Sequence, residues 1–140
     1  MKTAKRVNHQ TQPKRLLELA RKALRHSYAP YSKFHVGAAV LASSGKVYAG
    51  ANVENASYGL CICAERAAIF QAVNDGQSEI LAVAIATDTP AIKNPCGACL
   101  QVIAEFASDQ TMVYVTGASG LPLGRSWREF LPLAFKFSKK

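Results

Sequence analysis

The sequence predicts an α/β fold in which helices cover a mixed sheet, and three observations carry that expectation. The chain has 140 residues and 15.1 kDa, the size of one domain, with 49% hydrophobic against 19% charged residues. Apolar segments of strand length alternate with stretches of helical period in the order α-β-β-α-β-α-β. One of them, Ile80–Thr87 (ILAVAIAT), is apolar throughout, as expected of a strand covered on both faces.

The elements follow from local chemistry. Residues 1–13 read as a basic, mobile leader, and 14–140 as a single domain. From Pro13, Leu16, Leu17, Ala20, Ala23 and Leu24 form one apolar stripe with basic residues opposite, so a helix runs to about Ser27, where Pro30 disfavours continuation. His35–Ala42 and Lys46–Asn52 are strand-like and are joined by Ser43-Ser44-Gly45, a hairpin signal. Ala64–Asn74 reads as a helix stopped at Gly76, and Gly97–Ala107 as a second one after Pro95. Thr111–Thr116 is strand-like, Gly117–Gly120 a turn, Leu121–Gly124 a further short strand, and Trp127–Leu131 a short closing helix. Phe106, Trp127 and Phe130 read as core or interface residues.

The formal net charge is +8. Residues 1–26 hold eight Lys/Arg against Glu18, which is +7, whereas 27–140 hold nine against eight, which is +1. The charge belongs to the leader and first helix, so the body lacks the basic face of a specific nucleic-acid binder. No apolar run reaches membrane-spanning length and the N-terminus lacks a signal-peptide core, which predicts a cytoplasmic protein without a membrane partner.

Cys61, Cys63, Cys96 and Cys99 are all the cysteines, and they form two clusters. In a chain without export signals, C-x-C and C-x-x-C read as metal ligands rather than a disulfide framework. Cys63 precedes one predicted helix and Cys96 and Cys99 open the next. Helix N-termini favour thiolates, and two facing ends could bring three sulfurs to one Zn²⁺. Three protein ligands leave a position for water, the catalytic arrangement. Cys61 alternates with Cys63 along an extended segment, so its side chain is expected on the opposite side, as a free thiol. Glu65, two residues after Cys63, can address the open position as an acid/base without being a ligand. His9, His26 and His35 show no pairing with the cysteines.

Cys63-Ala64-Glu65 followed by Pro95-Cys96-Gly97-Ala98-Cys99 resembles the zinc deaminase pattern H-x-E…P-C-x-x-C, with Cys in place of His. With YAPYSKFHVGAAV, NVENASYGL, CAERAAIFQAV, PCGACLQVIAEF and FLPLAF around it, the chain resembles the small, homotetrameric cytidine deaminases of pyrimidine salvage from about residue 14 to 137. The resemblance implies a three-layer α-β-α sandwich with a mixed five-stranded sheet and one Zn²⁺ per subunit. It implies Cys63, Cys96 and Cys99 as ligands and Glu65 as catalytic acid/base. It further implies that Asn52 and Glu54 hold the ribose 3′-hydroxyl, that Phe34 packs on the pyrimidine, and that backbone groups near Ala64 and Cys96 orient the base. Phe135 would reach the active site of a neighbouring subunit, Tyr58 would lie at the interface, and Arg66 would hydrogen-bond the cysteine sulfurs. The implied reaction is hydrolytic deamination of cytidine and 2′-deoxycytidine, with a small nucleoside as partner and no specific nucleic acid.

Other readings stand beside this one: a structural zinc module using all four cysteines, a polynucleotide-editing deaminase, and a deaminase of another aminopyrimidine nucleoside or nucleoside antibiotic. Leu100 departs from the family's usual C-R-Q. Either it removes a cation that offsets the zinc thiolates, or it packs at an apolar contact.

Overall fold

A computed structural model describes residues 12–119 and 121–138. The expected leader, except for its last two residues, lies outside them, as does Gly120 of the predicted turn. Helix α1 (Gln12–Ala23) takes in those last two residues, Gln12 and Pro13, and relaxes into a 3₁₀ turn over Leu24–His26. There follow β1 (Val36–Ala42), β2 (Val47–Ala51), a 3₁₀ turn at Tyr58–Leu60, α2 (Ala64–Asn74) and β3 (Ile80–Thr87). The chain closes with α3 (Gly97–Phe106), β4 (Ala107–Thr116), β5 (Leu123–Ser126) and α4 (Trp127–Phe130). No helix among the described residues is long and apolar enough to cross a membrane.

The strands form one sheet in the order β2-β1-β3-β4-β5. Only β3 and β4 are parallel. A parallel pair requires a crossover, and α3 supplies it. The β1–β2 hairpin turns at Gly45, whose φ of +91° a side-chain-bearing residue rarely adopts.

Side-chain alternation sorts the sheet into two faces. Val36, Ala38 and Val40 of β1 pack with Val83 and Ile85 of β3 beneath α2 and α3. Ala39 and Leu41 join Ala82, Ala84 and Ala86 beneath Leu16, Leu17 and Ala20 of α1. The expected three layers follow from that period of two on doubly covered strands. Ile80 breaks the parity, facing the α2/α3 side with Val83, because the β3–β4 register shifts between Ile80 and Ala82.

That irregularity explains why β4 begins at Ala107 and not at the expected Thr111. Alanine, serine, aspartate and glutamine over 107–110 have poor strand propensity. The buried Thr111 hydroxyl holds the segment by donating to the Ile80 carbonyl at 2.6 Å and accepting from the Ser108 N–H at 2.9 Å. Trp127, expected in the core and fully buried there, donates its indole N–H to the Ser108 carbonyl at 2.7 Å. The short strand expected over 121–124 lies two residues later. It is stopped by Ser126, which forms a capping box with Glu129 and starts α4.

Candidate active site

Both metal-site helices start on extended residues that expose their N–H groups. Cys63 is the N-cap of α2 (φ −77°, ψ 154°) and Cys96 that of α3 (φ −72°, ψ 161°). The Cys96 sulfur accepts the Cys99 backbone N–H at 3.4 Å, the bond an N-cap oxygen would ordinarily make. Cys99 is fully buried on the first turn of α3.

The three sulfurs of Cys63, Cys96 and Cys99 lie within 4.8 Å of one another, and those of Cys63 and Cys96 are 3.7 Å apart. Tetrahedral zinc with Zn–S bonds of about 2.3 Å would space its sulfurs about 3.8 Å apart, so the triangle fits the ion. Soft sulfur donors with no carboxylate in the set also select zinc over magnesium or calcium. The Cys63 thiol is pulled down to about 5, first by the hydrogen bond from Cys99 and then by Arg66 and Cys96. Cys99 is held in the opposite direction, chiefly by Cys63 and by burial. Without a cation, one proton shared among crowded thiols settles on the buried sulfur.

Arg66 reaches back one helical turn and donates to the Cys63 sulfur at 3.4 Å. Its Nε is buried and has no hydrogen-bond partner. Arg66 therefore spends its charge on the sulfur cluster, where three thiolates and Zn²⁺ would otherwise leave a net −1.

Glu65 is 4% exposed, and burial raises its carboxyl pKa above the usual carboxylate range, with the Cys63 charge adding to the effect. It does not belong to the sulfur cluster. A carboxyl that is reluctant to ionise and sits beside a metal pocket suits proton transfer.

The cavity in front of these groups has a volume of about 450 Å³ and is bordered by Phe34, Asn52, Glu54, Tyr58, Ala64 and Glu65 among others. Sequence reasoning missed Ser32, Thr87, Lys93 and Asn94 on the same wall. The only local signal was position: Lys93 and Asn94 immediately precede Pro95-Cys96, and Thr87 ends the buried strand that points at the site. Glu54 accepts the Tyr31 and Ser32 backbone N–H groups, each at 3.0 Å, and the Ser32 hydroxyl; these bonds hold its pKa low, the hydroxyl first.

Three expectations need adjustment. Cys61 borders the same cavity as Cys63, so the opposite-side argument fails, because the chain bends between the 3₁₀ turn and α2. Its sulfur still stays out of the cluster, engaged with the Asn55 N–H at 3.3 Å. Phe135 does not border the cavity of its own chain; it is 68% exposed and stacks edge-on with Phe137. Leu100 is 6% exposed within the α2/α3 core, which decides for packing over charge compensation.

Three thiols at two facing helix ends, a non-ligating buried carboxyl and an adjoining cavity define a mononuclear zinc enzyme. Residues 10–116 match the family model of the cytidine and deoxycytidylate deaminase zinc-binding region. The chain is 46% identical over 121 residues to a cytidine deaminase of Sporosarcina psychrophila, covering 86% of this chain and 89% of that one. Its fold superposes on the crystal structure of cytidine deaminase from Burkholderia pseudomallei with a TM-score of 0.83 at 43% identity, covering 92% of this chain and 100% of that one. Cytidine deaminase from Mycobacterium tuberculosis gives 0.77 at 36% identity, covering 89% and 97%. The chain belongs to the cytidine and deoxycytidylate deaminase family.

Proposed function

We propose that this chain catalyses the hydrolytic deamination of cytidine and 2′-deoxycytidine to uridine and 2′-deoxyuridine, with release of ammonia. The observation that carries the reading is the buried, non-ligating Glu65 beside three convergent thiols and an open cavity. The names of its relatives, which cover most of the chain, support the same substrate.

Zinc held by Cys63, Cys96 and Cys99 supplies the Lewis acidity that activates water for attack on a ring carbon. Glu65 takes a proton from the attacking water and passes it to ring N3 as the C4–O bond forms. It then carries the second water proton to the exocyclic nitrogen, and the C4–N bond breaks. One proton ends on N3 and one on ammonia, so the balance closes. Arg66 stabilises the thiolates throughout. Phe34 packs against the pyrimidine, backbone groups at Ala64 and Cys96 orient it, and Asn52 with Glu54 holds the sugar hydroxyl.

The functional unit is a homotetramer in the cytoplasm. Tyr58, Leu133 and Phe135 are 75%, 95% and 68% exposed in the single chain, an apolar cost that assembly removes. Tyr58 would lie at the interface and Phe135 would close a neighbouring subunit's site. Four free cysteines suit a reducing compartment. Glu65→Gln keeps the size and loses the proton carrier. Ammonia release from cytidine should fall by about 10²–10⁴-fold while zinc stays near one per chain. Near-normal turnover by this variant overturns the reading.

A further inference from the structure

Behind the cavity wall runs a polar chain that the deamination chemistry does not use. Asn52 borders the cavity but is 8% exposed, and most of its hydrogen-bonding capacity is turned inward. Its Oδ1 accepts the Val36 backbone N–H at 2.9 Å and the Ser27 hydroxyl, and its Nδ2 donates to the Phe34 carbonyl at 2.8 Å. A backbone N–H can only donate and a carbonyl can only accept, so these two groups fix which way the amide points.

The remaining polarity follows. Ser27 has one hydroxyl proton, and it goes to Asn52 Oδ1. The contact of 2.9 Å between Ser27 Oγ and His35 Nδ1 must then be donated by the imidazole, which carries a proton on Nδ1. The direction runs from His35 through Ser27 to Asn52 and leaves one Nδ2–H of Asn52 for the cavity. Neither Ser27 nor His35 borders that cavity.

We propose that Ser27 and His35 are positioning residues that lock Asn52 as a donor towards the sugar of the substrate. The inference rests on the deamination reading with Asn52 as a sugar contact. Glu54, anchored through Tyr31 and Ser32, presents only acceptors. A single ligand group that accepts from Asn52 and donates to Glu54 is a hydroxyl. The relay therefore selects nucleosides whose sugar hydroxyl is intact, and it also ties that selection to Phe34, whose carbonyl Asn52 holds.

The test compares Ser27→Ala, Ser27→Thr, His35→Phe and the double variant Ser27→Ala/His35→Phe on cytidine and 3′-deoxycytidine. Loss of one bond to Asn52 should raise KM for cytidine by about three- to tenfold with little change in kcat. KM for 3′-deoxycytidine should not move, Ser27→Thr should restore the wild-type value, and His35→Phe should add nothing once Ser27 is alanine. An equal rise on both nucleosides, a loss confined to kcat, or additive effects overturn the proposal. A second readout does not depend on turnover: ¹⁵N NMR should find His35 protonated on Nδ1 in the wild type, and a neutral Nε2–H ring there overturns the relay whatever the substrate. Failure of the wild type to release ammonia from cytidine overturns the functional reading instead, while the NMR result still decides the relay.

Discussion

Gly50 of β2 is where the sheet meets the helix that carries half of the site, and Gly50→Ala tests that dependence. A Cβ there would lie 2.7 Å from the Ala68 backbone nitrogen, 3.0 Å from the Ala67 Cβ and 3.1 Å from the Ala64 carbonyl oxygen. Two of these three atoms are α2 backbone, so no side-chain rotation relieves the contact. Restoring carbon contacts of about 3.5 Å needs α2 to retreat by roughly 0.5–1 Å. Overpacking of this kind costs about 1–3 kcal/mol. At about 3–4 °C per kcal/mol for a chain of this length, the melting temperature should fall by about 3–12 °C. The displaced turn bears Cys63, Glu65 and Arg66, whereas Cys96 and Cys99 sit on α3. The 3.7 Å spacing of Cys63 and Cys96 matches the ion closely, so the same movement opens the sulfur triangle. A misplacement approaching 1 Å should lower kcat/KM about 10²-fold. Thermal unfolding, zinc retention against a competing chelator, and ammonia release measure the three effects together. Wild-type values in all three would refute the argument that contact with β2 sets the position of α2.

The other expectations address single residues. Cys61→Ser should keep one zinc per chain and most activity, whereas serine at Cys63, Cys96 or Cys99 should release the metal; equal zinc loss at all four means a closed Cys₄ centre. Leu100→Arg places a charge in the α2/α3 core, where Leu100 is 6% exposed, and should destabilise the fold by about 3 kcal/mol or more in denaturant titration. A neutral effect would return Leu100 to the charge-compensation reading. Phe135→Ala removes a side chain that is 68% exposed, so chain stability should hold while kcat/KM falls in the assembled enzyme; unchanged kinetics remove Phe135 from any neighbouring site.

The sequence by itself determined the parts that depend on neighbours along the chain. Period and stop signals placed α2 over Ala64–Asn74 and β3 over Ile80–Thr87 as the structure has them, because each is set by residues within a turn or two. The spacing of Cys63, Glu65, Cys96 and Cys99 announced a three-sulfur centre with a free carboxyl, since helix N-termini fix where such side chains begin. Tertiary structure decided what rests on distant partners. The start of β4 depends on Thr111 reaching the Ile80 carbonyl, 31 positions away, and no local propensity signals that bond. Cys61 shares the cavity but not the metal cluster, because the chain bends after the 3₁₀ turn and Asn55 engages its sulfur. Leu100 is a packing residue because α3 turns it into the core and away from the cavity. Asn52 was legible as a polar residue near the site. Its locked polarity comes from Ser27, Phe34 and Val36 meeting around it, and only the packing of β1 beside β2 brings those groups within hydrogen-bond reach.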